Sequence, residues 1–182
     1  MWPALVLCGV EQVLLQPGRM AASAFDFVHY PWTHSLVMAM VWGVVFGVVY
    51  FALRKDTRAA IVVGLLVPSH WFLDLLVHGP DLPVWPAGPK LGLGGWNSVP
   101  VTLALEATFF VGSLVLYART TTAKDRIGRW AFVGYVAMLV VIYVGVVFGP
   151  VPTDVKGAAG GALVMWLLVP WAAWFDRHRA AR

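Results

Sequence analysis

The sequence predicts an all-α fold, a polytopic transmembrane helical bundle with five full spans plus a short N-terminal span. The chain has 182 residues, of which 60% are hydrophobic and only 12% are charged. Its mean hydropathy is +0.76, which is too high for a soluble domain with a polar surface. The apolar residues also gather in five stretches, each close to the ~20 residues that a helix needs to cross the hydrocarbon core.

Runs of this length with charged flanks indicate helices, because the strands of a membrane barrel would alternate polar and apolar residues. A shorter sixth run, Trp2–Leu15, begins the chain. It has neither the basic start nor the small-residue cleavage site of a signal peptide, so we expect it to be retained as a span. Residues 1–182 are predicted to form a single transmembrane domain. The five long runs are Ser35–Leu53, Ala59–Val77, Val101–Ala118, Trp130–Phe148 and Ala158–Phe175.

The positive charges mark the topology of the bundle. The net charge is +4, but the basic residues form no nucleic-acid-binding stripe, and we expect no nucleic acid partner. Ten of the 13 Lys and Arg residues fall on one side of the predicted bundle, which the positive-inside rule makes cytoplasmic together with the C terminus. These ten are Arg54, Lys55, Arg58, Arg119, Lys124, Arg126, Arg129, Arg177, Arg179 and Arg182.

Histidines and carboxylates gather at the opposite, extracytoplasmic side. Ionisable groups at membrane depth are costly, so this gathering is the best sequence evidence for a functional site. It includes four of the five histidines and six of the nine carboxylates. They are His29, His34, His70 and His78, with Glu11, Asp26, Asp74, Asp81, Glu106 and Asp154.

The segment SHWFLDLLVH, Ser69–His78, carries the strongest local pattern. His70 and Asp74 are four residues apart, which places them on one helical face about 6 Å apart along the axis. His78 extends that face by another turn. Imidazole nitrogen and carboxylate oxygen are the ligands of hydrolytic zinc sites and of iron or manganese sites. The alternative is a hydrogen-bonded pair that joins two helices of the bundle.

A second pattern is DFVHYPWTHS, Asp26–Ser35, which leads into the second predicted span. Proline cannot lie in a helix interior, so the residues before Pro31 are predicted to lie outside the helix. Thr33 or Ser35 can cap it. His34 would then lie at the depth at which His70 and Asp74 end the next span. Asp26 is a further candidate ligand.

Two acidic residues lie within predicted spans. Glu106 is about two turns inside the run Val101–Ala118, where an unpaired charge would cost several kcal/mol. Such a carboxylate could serve as the general base that activates a water at a metal site. It could equally be a protonated side chain that bonds a neighbouring helix. Glu11 has the same two interpretations.

HYPWTHSL and SHWFLDLLVH together resemble bacterial membrane-bound metal-dependent hydrolases grouped with the LexA-binding inner-membrane hydrolases. That family shares a THS at a helix start and an H-x-x-x-D on a later helix. The resemblance implies a multi-pass inner-membrane protein whose metal ligands are His34, His70 and Asp74, with Asp26 as a further one. A distant likeness of the family to zinc-dependent phospholipase C enzymes implies phosphoester chemistry. Relatives carry a further N-terminal helix with a Gly-His and an Asp, which we expect this chain to lack.

These observations predict a membrane-embedded hydrolase with a divalent metal, zinc, at the extracytoplasmic end of the bundle. His34, His70 and Asp74 would bind the ion, Asp26 or His78 would complete the ligand set, and Glu106 would be the base. The lipid bilayer is one partner, and a phosphoester or lipid-linked substrate another. A transporter of ions or protons is an alternative, although the cytoplasmic halves of the spans carry almost no polar groups. A non-catalytic membrane scaffold is a second alternative.

Overall fold

The computed structural model describes all 182 residues and confirms the five predicted spans. Each predicted run coincides with a helix that is long and apolar enough to cross a membrane, except that Ser35 precedes the first helix. By its internal contacts the chain forms two compact units, Met1–Thr102 and Leu103–Arg182. That residues 1–182 make one domain stays a prediction. The five helices are Leu36–Arg54, Thr57–Val77, Val99–Thr120, Arg126–Phe148 and Val155–Arg177.

The N-terminal run predicted as a sixth span does not form a membrane-spanning helix in the structure. Helix α1 covers only Trp2–Leu7, and six residues rise about 9 Å, far less than the ~30 Å of a hydrocarbon core. The chain then turns through Gly9, whose φ is +74°, into strand β1 (Gln12–Leu15). Strand β1 pairs antiparallel with β2 (Phe25–His29). The apolar character of Trp2–Leu15 therefore serves packing in the first unit, where Val13 is buried.

Helices α3 (Leu36–Arg54) and α4 (Thr57–Val77) form the transmembrane pair of the first unit. Ser35 caps α3 by accepting a hydrogen bond from the Met38 N–H, and Asp56 caps α4 through the Ala59 N–H. Only Lys55 and Asp56 separate the two helices. The short connection makes them antiparallel neighbours, so the start of α3 lies beside the end of α4.

Close approach of these two helices depends on glycine. A Cβ atom added to Gly43 would collide with the carbonyl oxygen of Gly64, and one added to Gly47 would lie 3.0 Å from the carbonyl oxygen of Ala60. Gly43→Ala is therefore expected to force the helices apart and to cost about 1–3 kcal/mol of stability. Thermal unfolding in detergent measures the loss. Gly112 of the second unit, which has open space around it, is the control, and Gly112→Ala should not lower the melting temperature. Equal melting of the two variants would contradict this packing.

Two segments, 8–35 and 78–98, form a cap over the end of this helix pair. The cap contains the β1–β2 ribbon, the short helix α2 (Pro31–His34) and a second ribbon of β3 (Leu82–Pro83) and β4 (Lys90–Leu91). Backbone hydrogen bonds connect the cap to the helices. The Leu93 N–H donates to the Leu75 carbonyl, and the Val37 N–H donates to the Val84 carbonyl. The cap holds much of the buried core of the unit, including Tyr30 and Leu82.

The second unit contains the other three spans, except for the first four residues of the helix Val99–Thr120. Helix α5 (Val99–Thr120) leads into strand β5 (Thr121–Ala123), and α6 (Arg126–Phe148) follows. The last span consists of α7 (Val155–Val164), a 3₁₀ turn and α8 (Leu168–Arg177). Strand β6 (Arg179–Ala181) then pairs antiparallel with β5.

The basic end of this unit is held by side-chain contacts. The Arg179 guanidinium lies 5.2 Å from the ring centre of Tyr117 and 4.7 Å from that of Phe132, as in cation–π contacts. His178 Nδ1 lies 2.6 Å from a carboxylate oxygen of Asp125, which also caps α6. These contacts fix the last residues against the loop between α5 and α6.

Candidate metal centre

Three of the predicted site residues meet at the boundary between the cap and the helix pair. His70 and Asp74 lie one turn apart on α4, and His34 ends α2 just before α3 begins. The antiparallel helix pair brings His34 beside them. One ligand atom from each residue lies within 4.8 Å of the others. His34 Nε2 is 3.9 Å from Asp74 Oδ2, and the rings of His34 and His70 are edge to face at 5.7 Å.

The donor set suits a divalent cation. His34 and Asp74 are partly shielded, with side chains 13% and 25% exposed, so a bound ion would keep access to solvent. Burial, with His70 and His78 nearby, lowers the pKa of His34 to about 3. The ring is therefore neutral near pH 7 and keeps a lone pair. Two imidazoles and one carboxylate match the protein ligands of many catalytic zinc sites.

Hydrogen bonds orient both imidazoles. His70 Nδ1 contacts the carbonyl oxygen of Val67 on the preceding turn of α4. A carbonyl only accepts, so Nδ1 of His70 carries a hydrogen, and Nε2 is the ring nitrogen that could bind an ion. His34 Nδ1 lies 2.7 Å from Thr33 Oγ1. Partners of this kind on the non-coordinating nitrogen are typical of histidines that bind metals.

His78 is close to these three residues but has partners of its own. It caps the end of α4, its Nδ1 lies 2.9 Å from Asp81 Oδ1, and its ring centre is 6.5 Å from that of His34. The Tyr30 hydroxyl donates to the same Asp81 oxygen at 3.1 Å, and burial raises the pKa of Tyr30. All three side chains are buried. His78 thus turns Nδ1 toward Asp81, and its role as a ligand stays a prediction.

Two further candidate residues, Asp26 and His29, lie on strand β2 of the cap. Asp26, a candidate ligand, is on β2, where its Oδ1 is 2.5 Å from a guanidinium nitrogen of Arg19. His29 is exposed at the end of the same strand. Glu106 lies on α5 in the second unit, and its role as a base stays a prediction. The structure thus brings together His34, His70 and Asp74, while Asp26 is engaged by a cation of the protein itself.

Sequence reasoning did not anticipate the contact between Glu11 and Thr33. Glu11 is 1% exposed, and its two carboxylate oxygens accept hydrogen bonds from the backbone N–H and the hydroxyl of Thr33. The one sequence feature that pointed to a buried partner for Glu11 was its position inside an apolar run. Its partner depends on a contact between residues 22 positions apart, which no local pattern indicates.

Comparison with known proteins places the chain in a family. The model of the YdjM inner membrane protein family matches residues 11–150, which include most of the cap, the three clustered residues and four of the five spans. No curated protein and no solved structure matches the chain. The family match covers more than half of the chain, and the five apolar helices are in keeping with it. The chain belongs to the YdjM inner membrane protein family and is a multi-pass protein of the inner membrane, in contact with the lipid bilayer.

Proposed function

We propose that this protein is a membrane-embedded, metal-dependent hydrolase in which His34, His70 and Asp74 hold a zinc ion. The observation that supports the proposal is the convergence of two imidazole nitrogens and a carboxylate oxygen within 4.8 Å. Three protein ligands leave a position for water or substrate, as in catalytic zinc sites. When bound, the ion supplies a Lewis acid that makes water more acidic and polarises a phosphoryl or acyl oxygen.

The protein residues would orient the ligands and set the charge of the site. His70 is fixed by the carbonyl of Val67, and His34 by the hydroxyl of Thr33. A histidine that binds a metal is neutral, so Asp74 would balance only one of the two positive charges of the ion. The site would keep a net positive charge, which favours anionic substrates such as phosphoesters.

The charge pattern supports an extracytoplasmic site. Lys55 and Arg58 lie at the end of the α3–α4 pair that is opposite His34 and Asp74, and the positive-inside rule makes that end cytoplasmic. The same rule assigns the C terminus to the cytoplasm. A site at the end of the membrane-spanning pair would lie near the boundary between lipid and water. That position favours a lipid-linked phosphoester as the substrate.

Hydrolysis of a chromogenic phosphodiester by the zinc-loaded protein in detergent tests the proposal. Asp74→Asn keeps the shape of the side chain and removes its charge, so we expect the rate to fall by roughly 100-fold or more. His29→Ala is the matched control, because His29 is an exposed histidine of the same unit, and it should keep the wild-type rate. Equal rates in Asp74→Asn and the wild type, or no zinc-dependent hydrolysis in the wild type, would contradict the proposal.

A further inference from the structure

We infer that Glu11 and Thr33 form a positioning relay that keeps the ring hydrogen of His34 on Nδ1 and so leaves Nε2 free to bind the metal. The inference rests on the proposed function, since it concerns the ion that His34 would hold. Neither Glu11 nor Thr33 would touch the ion. Both would act through His34, and together they would set the affinity of the site for zinc.

Three short contacts connect the relay. Glu11 Oε1 accepts from the Thr33 N–H at 2.9 Å, and Glu11 Oε2 lies 2.7 Å from Thr33 Oγ1. Thr33 Oγ1 in turn lies 2.7 Å from His34 Nδ1. Glu11 and Thr33 are buried, with 1% and 8% exposed. Water therefore has little access to compete for these hydrogen bonds.

The position of each hydrogen follows from the number of donors. Threonine has one hydroxyl hydrogen, and an ionised carboxylate can only accept. The Thr33 hydroxyl must therefore donate to Glu11, and its oxygen then accepts from the Nδ1–H of His34. The lone pair of His34 is left on Nε2, the atom that lies 3.9 Å from Asp74 Oδ2.

A purely structural role for Glu11 does not explain why a carboxylate, rather than a neutral side chain, is buried at this position. Burial raises the pKa of Glu11, and the hydrogen bonds from Thr33 oppose that shift, so holding the carboxylate here costs free energy. A tether between the N-terminal segment and α2 would need only one neutral hydrogen bond. A carboxylate that accepts from both the backbone and the hydroxyl of Thr33 also fixes the direction in which that hydroxyl points.

The substitution Glu11→Gln reverses this direction without changing the shape of the side chain. Only the amide oxygen can accept from the Thr33 N–H, so the NH₂ group must face Thr33 Oγ1 and donate to it. The Thr33 hydroxyl then donates to His34 Nδ1. The ring hydrogen moves to Nε2, which is the atom that would bind the metal.

The first measurement is the zinc affinity of the full chain in detergent, obtained by competition with a chelator. We expect Glu11→Gln and Thr33→Val to weaken zinc binding by roughly 10–100-fold, as is typical when a partner of a ligating histidine is lost. Thr33→Ser keeps the hydroxyl and should bind zinc as the wild type does. Thr102→Val is the matched control, because Thr102 is equally buried but its hydroxyl bonds only backbone carbonyls.

The second measurement separates positioning from folding. Nitrogen-15 NMR of histidine-labelled, metal-free protein reports which ring nitrogen carries the hydrogen. We expect Nδ1–H for His34 in the wild type and in Thr33→Ser, and Nε2–H in Glu11→Gln, with melting temperatures unchanged. The same ring nitrogen protonated in wild type and Glu11→Gln would overturn the relay. So would a loss of zinc affinity in Glu11→Gln that only accompanies a lower melting temperature.

Different results would overturn the proposed function and the relay. A wild-type chain that binds no zinc overturns the proposed function. The NMR readout needs no metal, so it decides on the relay by itself.

Discussion

Replacing Tyr30 with alanine is expected to lower the free energy of unfolding of the first unit by about 3–5 kcal/mol, as for other buried aromatic residues. Tyr30 is 1% exposed, and its ring centre lies 5.0 Å from those of Phe27 and His34. Its hydroxyl donates to Asp81. The alanine variant would leave a cavity and remove a hydrogen bond from a buried carboxylate. Thermal and denaturant unfolding in detergent measure the loss.

Tyr30→Phe separates the contributions of the ring and of the hydroxyl. It keeps the ring contacts and removes one hydrogen bond, while Asp81 keeps its bond to His78. The expected loss is therefore only about 1 kcal/mol. Because the Tyr30 ring packs on His34, the alanine variant should also weaken zinc binding, whereas Tyr30→Phe should not. Melting of Tyr30→Ala at the wild-type temperature would contradict the role of Tyr30 in the cap.

Removal of either ligand on α4 is expected to lower zinc affinity by roughly 100-fold or more. Four-ligand zinc sites bind with about 10–16 kcal/mol, so one protein ligand contributes about 3 kcal/mol. His70→Ala and Asp74→Ala test this by competition with a chelator. Asp74→Ala should have the larger effect, because it also removes the only negative charge among the three clustered residues. His29→Ala is the control and should bind zinc normally, and a ligand variant with the affinity of this control would contradict the assignment.

The spans were predictable because their signal is local. Each of the five runs is long, apolar and bounded by charged residues or by Pro and Gly, and the bilayer thickness sets its length. The pairing of His70 with Asp74 is local too, since a separation of four residues puts them on one face of α4. To place His34 beside this pair, one must also infer that α3 and α4 are antiparallel. The two-residue connection at Lys55 and Asp56 imposes that arrangement.

The cap could not be predicted in the same way, because its structure depends on contacts between distant residues. Composition alone made Trp2–Leu15 a candidate span, whereas the residues of β1 pair with residues of β2 that lie ten or more positions further along the chain. Asp26 had the chemistry of a metal ligand, but the contact with Arg19 gives its carboxylate a different partner. The contact of Glu11 with Thr33 likewise joins two segments that only the folded chain brings together.

The most direct test of the metal centre is the zinc content of the full chain, purified in detergent without chelators. Wild type should carry about one zinc per chain, as expected for a single site with three protein ligands. His70→Ala and Asp74→Ala should carry almost none while keeping the helical content of the wild type. Equal and negligible metal in all three proteins would contradict the claim that His34, His70 and Asp74 form a metal centre.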